Sequence, residues 1–223
     1  MTAFRQSAQD VFIGRQSSPG LLVVPQGADG LIIFAHGSGS SRFSPRNVHA
    51  AERLQQLGFA TLLFDLLTPS ESADRRNVFD ISLLGDRVVE AIDWARADAR
   101  LSPLPIGLFG ASTGAGAAIV AASLRPRDVA AVVSRGGRPD LAGRALEQVQ
   151  APVLLIVGEE DRDVIALNDG ARAWIPSVTK LVTIPGAGHL FEEPGTLDKA
   201  LTLAGDWFRQ HMHGGAYDRA AVR

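Results

Sequence analysis

The stretch "LPIGLFGASTGAGAAIV", residues 104–120, decides how the rest of the chain is read. It opens as an apolar run of β type and closes as a helix-like run of small residues. Between them lies Gly110-Ala111-Ser112-Thr113-Gly114, a lone serine among glycines at the point where a strand turns into a helix. A serine at such a turn takes a strained backbone conformation that lifts its hydroxyl out of the sheet. Glycine suits the positions two before and two after it, where a Cβ would clash across the turn. The following helix aims free N–H groups and a partial positive charge at the serine, which favours negative charge there. The plainer reading is a tightly packed helix start with a serine cap. The company the serine keeps separates the two.

Working outward, strand-like and helix-like stretches alternate along the whole chain. Residues 10–14 and 20–25 flank a Ser-Ser-Pro-Gly turn and read as a hairpin. Continuous apolar runs, typical of strands buried on both faces, follow at 31–35, 60–65, 105–110, 129–134, 152–158 and 180–185. Helical periodicity fills 45–57, 80–99, 113–124, 139–149, 164–174 and 196–211. This alternation predicts an α/β fold, a mostly parallel sheet with an N-terminal antiparallel hairpin and helices on both faces. One domain over 1–211 is expected, with a flexible tail over 212–223. Only 135–151 separate the run 129–134 from the next strand, so no lid domain is expected and the site should be open, with little apolar wall.

Ligands bind such sheets at the carboxyl ends of the strands. A serine hydroxyl needs a base to become a nucleophile, and the base needs an orienting carboxylate. After the strand 152–158 comes Glu159-Glu160-Asp161-Arg162-Asp163, and after 180–185 comes Gly186-Ala187-Gly188-His189. Serine, acid and histidine thus sit at strand ends in the chain order this chemistry uses in open α/β sheets. An acidic loop can simply complement a helix dipole, and a loop histidine can simply be solvated. The coincidence of all three, in order, favours the catalytic reading.

Composition excludes several other classes. The chain has 223 residues, 46% hydrophobic and 21% charged, the balance of an ordinary globular protein. A net charge of −2 gives no reason to expect nucleic acid or an acidic membrane as partner. With no cysteine there is no disulfide and no thiolate nucleophile, and the N-terminal "MTAFRQSAQDVFIG" has no apolar core of signal-peptide length, so a cytoplasmic location is expected. A dinucleotide fingerprint is mimicked by Gly37-x-Gly39 with Asp65 closing the next strand. Arg42 stands where the third glycine belongs, and no helix begins before Pro45, so that reading is the weaker.

At these residues the chain resembles the α/β-hydrolase superfamily, and within it the small dienelactone-hydrolase-like branch. The likeness is carried by "FAHGSGSSRFSPRN", "GLFGASTGAG", "VVSRGGRPDL", "LLIVGEEDRDV" and "PGAGHLFEEPG". It implies Ser112 as nucleophile, Asp161 as acid and His189 as base, in a Ser-Asp-His triad. It also implies an oxyanion hole of the N–H groups of Ser38 or Gly39 and of Thr113. The expected activity is hydrolysis of small carboxylic esters, lactones or thioesters through an acyl-serine, with no metal or cofactor, by a monomer or homodimer. The alternative is a small-molecule binding protein of hydrolase fold with little turnover. Arg42 and Arg135, at strand ends on the rim that carries Ser112, are candidates for gripping a substrate carboxylate. The named dienelactone hydrolases use a cysteine nucleophile, which this chain lacks, so their particular substrate does not carry over.

Overall fold

The computed structural model describes residues 8–213. Eight strands form one sheet in the order β1-β2-β4-β3-β5-β6-β7-β8. They are β1 (Gln9–Ile13), β2 (Ser18–Val23), β3 (Leu31–Ala35), β4 (Ala60–Phe64), β5 (Ile106–Ala111), β6 (Val129–Arg135), β7 (Val153–Gly158) and β8 (Thr179–Ile184). β1 and β2 pair antiparallel, as does β2 with β4, and every pairing from β4 across to β8 is parallel. The helices are α1 (Pro45–Gln56), α2 (Pro69–Ser72), α3 (Arg75–Val78), α4 (Ile81–Ala97), α5 (Thr113–Leu124), α6 (Arg162–Arg172) and α7 (Thr196–His213).

Alternate residues of a strand point to opposite faces, and the core divides accordingly. Leu31 and Ile33 of β3 pack with Leu84, Val88, Ala91 and Ala118 from α4 and α5. Their neighbours Ile32 and Phe34 face the other way, toward Ala51 and Leu54 of α1 and Ala204 and Phe208 of α7. Both faces are covered, which is why the central strands read as unbroken apolar runs. Among the described residues, no helix is long and apolar enough to cross a membrane.

The structure departs from expectation in three places. The predicted helix at 139–149 is a 3-10 segment, Pro139–Gln148, kinked where Gly143 takes a φ of 53°. No continuous α-helix spans that break. α2 and α3, between β4 and α4, were not expected; each is a single turn fixed by its cap. Thr68 and Glu71 form a reciprocal capping box on α2, and Asp74 accepts from Arg76 N–H on α3. Finally, α7 continues through 212 to His213, with Met212 buried, so the expected tail begins too early. The rest of that tail lies outside the described residues.

Candidate active site

The turn from β5 into α5 carries Ser112 at φ 50°, ψ −126°, a conformation that costs a residue with a Cβ on the order of 1–3 kcal/mol. Its carbonyl accepts the N–H groups of Ala115 and Arg138, both at 3.0 Å, which pins the strained peptide from two sides. The flanking glycines have different reasons. A Cβ on Gly110 would lie 2.8 Å from the Gly114 carbonyl oxygen, the clash across the turn expected from sequence. A Cβ on Gly114 would instead lie 2.0 Å from the carbonyl oxygen of Ala35, so this glycine lets the end of β3 approach the elbow.

That approach brings in the loop after β3. A Cβ on Gly37 would come within 2.8 Å of Ser112 Cβ, so the loop lies directly against the serine. His36 fastens it. Its Nε2 accepts the Leu66 N–H at 3.2 Å, which leaves Nδ1 to donate to the Gly37 carbonyl at 3.0 Å. Burial pushes the His36 pKa down, in keeping with this neutral tautomer, against smaller upward pulls from the Gly37 carbonyl and Asp65. The loop then turns through Gly39, at φ 69°, with Ser40 N–H donating to the Gly37 carbonyl at 3.2 Å. Ser38 N–H, one of the expected oxyanion donors, donates to the Thr113 hydroxyl at 3.0 Å. Gly39 N–H has no hydrogen-bond partner among the described residues.

Two further loops complete the site. Asp161 is the N-cap residue of α6, yet its side chain makes no capping bond. It turns to His189, whose Nδ1 stands 2.6 Å from Asp161 Oδ2. Asp163 is the second residue of α6, in its first turn. The loops after β7 and β8 are tied together by Gly186 N–H donating to Glu159 and Glu160 N–H donating to the Ala187 carbonyl, at 2.9 and 3.0 Å. Ser112 and His189 line one cavity of about 270 Å³, together with Arg135, Arg46 and Ser40.

The two candidate arginines part company here. Arg42 pairs with Asp65 through its guanidinium and takes a second bond from its own N–H to the same carboxylate, at 2.8 Å. Its charge is already neutralised and it does not line the Ser112 cavity, so it is corrected to a residue that holds the loop. Arg135 is the reverse case. It is 7% exposed and has no carboxylate partner among the described residues; its guanidinium lies 5.5 Å from the centre of the Phe191 ring. Burial, helped by repulsion from Arg46, pushes its pKa down to about 10, so it keeps its charge at neutral pH. In the sheet Arg135 is paired with Ala111, the residue before Ser112. Arg46 itself, bonded to Glu192 at 3.0 Å, was missed from sequence, because an arginine in a first helical turn looks like any solvated charge.

The expectation of an open site with little apolar wall also needs correction. A second pocket of about 470 Å³, with an aliphatic wall of Leu66, Leu67, Pro69, Val78 and Leu84, lies across the Gly37–Ser40 loop and is bounded by the unexpected α2–α3 segment.

Comparison with known proteins agrees with this architecture. The dienelactone hydrolase family model matches residues 19–211. A dienelactone hydrolase from Anabaena variabilis is 51% identical, with a TM-score of 0.88 over 92% of this chain and 99% of that one. Est1E from Butyrivibrio proteoclasticus, 16% identical, shares the fold with a TM-score of 0.77 over 93% of this chain and 99% of its own. The Mycobacterium tuberculosis protein named "Putative phosphoribosyl transferase Rv0571c" is 54% identical over 210 residues, which make up 94% of this chain and 47% of that protein. The chain therefore spans about half the length of that curated relative. With the family's model matched from β2 to α7 and a dienelactone hydrolase of the same fold 51% identical, this chain belongs to the dienelactone hydrolase family.

Proposed function

We propose that this chain is a serine hydrolase that cleaves small carboxylic esters, lactones or thioesters through an acyl-serine. Membership of the dienelactone hydrolase family supports hydrolysis as the class of reaction. The observation that carries the finer reading is the 2.6 Å contact between His189 Nδ1 and Asp161, at the mouth of a cavity that also holds the strained Ser112. With Nδ1–H donating to Asp161, Nε2 is left as the proton acceptor. Ser112 Oγ attacks the carbonyl carbon and gives its proton to Nε2. The tetrahedral oxyanion takes the Thr113 N–H and one donor from the loop. Gly39 N–H can serve without losing a bond, whereas Ser38 N–H must first release the Thr113 hydroxyl. The leaving oxygen or sulfur departs with the proton from His189, and water repeats the sequence to free the acid.

The phosphoribosyl transferase name attaches to a relative of which this chain matches 47%, whereas the dienelactone hydrolase family model matches residues 19–211 of this chain itself. Turnover of an activated short ester by the purified chain tests the reading. Stoichiometric binding without turnover would replace it with a binding protein.

Arg135 supports a narrower substrate class, since a buried cation without a partner is costly until an anion joins it. An ester bearing a carboxylate close to the scissile carbonyl would supply that anion. Arg135→Met should raise the KM for such an ester roughly tenfold to a hundredfold, the equivalent of about 1.5–3 kcal/mol for a charge-assisted hydrogen bond. The KM for its neutral analogue should change little. Equal effects on both esters would return Arg135 to a purely structural role.

A further inference from the structure

We propose that the second pocket, across the Gly37–Ser40 loop from Ser112, is a subsite of the same reaction and takes an apolar substituent of the scissile carbonyl. The inference rests on the hydrolase reading above. The two cavities share Gly37, Ser38 and Ser40, and Thr113, which lines the second, is the residue after Ser112. A substituent leaving the carbonyl on the loop side therefore runs into this pocket. Its volume of about 470 Å³ falls within the roughly 300–1,000 Å³ usual for small-molecule sites.

The lining decides the chemistry. Leu66, Leu67, Pro69, Val78 and Leu84 form the apolar walls. The hydroxyls of Ser38, Ser40, Ser41 and Thr113 belong to the side toward the loop and the elbow, and the other polar groups of the lining are engaged by neighbours. Asp65 is held by Arg42, and His36 lies between the Leu66 N–H and the Gly37 carbonyl. The Ser72 hydroxyl donates to the Pro69 carbonyl at 3.0 Å. Against the wall of Leu66, Leu67, Pro69, Val78 and Leu84, a charged group would lose water without finding a partner, whereas an alkyl or aryl group would lose nothing.

The wall is also built to stay in place. Glu71 accepts Thr68 N–H at 2.8 Å and the Arg87 guanidinium at 2.7 Å, and its carbonyl accepts the Asn77 side-chain amide at 3.0 Å. Arg87 itself is 7% exposed, so this pair anchors α2 and α3 onto α4. Burial tends to raise the Glu71 pKa, but the Thr68 donors and Arg87 outweigh it and hold the carboxyl below its ordinary value. A firmly fixed apolar concavity beside a reactive serine suits a recurring ligand, not an accident of loop packing.

The test is a matrix of p-nitrophenyl esters with acetyl, butyryl and phenylacetyl groups, and a parallel set of methyl, butyl and benzyl acetates followed by acid release. Each is run on wild type and on Val78→Trp, which fills the pocket, with Leu67→Phe as a milder filling should the first variant fail to fold. One series should gain at least tenfold in kcat/KM from its smallest to its bulkiest apolar member, roughly threefold to fourfold per methylene buried. Which series gains tells whether the acyl or the alkoxy group occupies the pocket. The filled variants should lower that ratio at least tenfold. A flat preference in both series, or a ratio untouched by filling, in protein that a fluorophosphonate labels at Ser112 would overturn the subsite and leave the hydrolase reading standing. Absence of both labelling and turnover would remove the hydrolase reading and the subsite with it.

Discussion

Ser112→Ala should reduce hydrolysis of p-nitrophenyl acetate to the background of the buffer. Loss of a nucleophile that acts together with its base removes about 10³-fold to 10⁶-fold in kcat. The substitution removes one oxygen from a half-buried side chain that makes no hydrogen bond within the described residues, so melting temperature should not fall. Labelling by a fluorophosphonate should disappear together with turnover. Turnover that persists in the purified variant, or labelling that moves to another serine, would sink the elbow as the seat of the chemistry. If activity disappears and the protein also melts early, Ser112→Cys separates the causes, because it keeps the shape and restores a nucleophile.

The second large effect is expected at Asp161. Its carboxylate holds His189 Nδ1 at 2.6 Å, fixing both the ring's orientation and the tautomer that leaves Nε2 free to accept a proton. Asp161→Asn presents an amide that can turn its N–H₂ toward the ring and stabilise the wrong tautomer. A loss in kcat on the order of 10⁴-fold is the usual consequence. Asp163→Asn, in the first turn of α6 and exposed, should cost only the interaction of a charge with the helix N-terminus, about 0.3–1 kcal/mol, with kcat unchanged. Steady-state kinetics and thermal melts on the two variants decide the matter. If Asp163→Asn loses the activity and Asp161→Asn keeps it, the acid has been misassigned.

Much of the fold was legible because burial leaves its mark on composition. Central strands such as "LIIFA" and "VLLIVG" are covered on both faces, so their apolar runs are unbroken and hard to mistake. The elbow was legible because glycine is forced there by backbone contacts of less than 3 Å. The α2–α3 segment was not, since single turns held by caps such as Thr68 and Asp74 have no periodicity to read. With it went the second pocket's wall. Sequence placed Asp161 and His189 at adjacent strand ends but could not tell which acid of the 159–163 loop faces the histidine. Nor could it tell Arg42 from Arg135. One has a carboxylate 23 residues away in sequence but bonded in space, and the other has none, a difference that exists only once the chain has folded.

The backbone twist at Ser112 has a meaning for evolution as well as for chemistry. A residue without a Cβ adopts φ 50°, ψ −126° with little strain, so glycine at 112 should melt higher than the natural serine while turning over nothing. At this one position thermodynamics and catalysis pull in opposite directions. A lineage released from the need for turnover would gain stability by drifting to glycine, and only selection on the reaction opposes that drift.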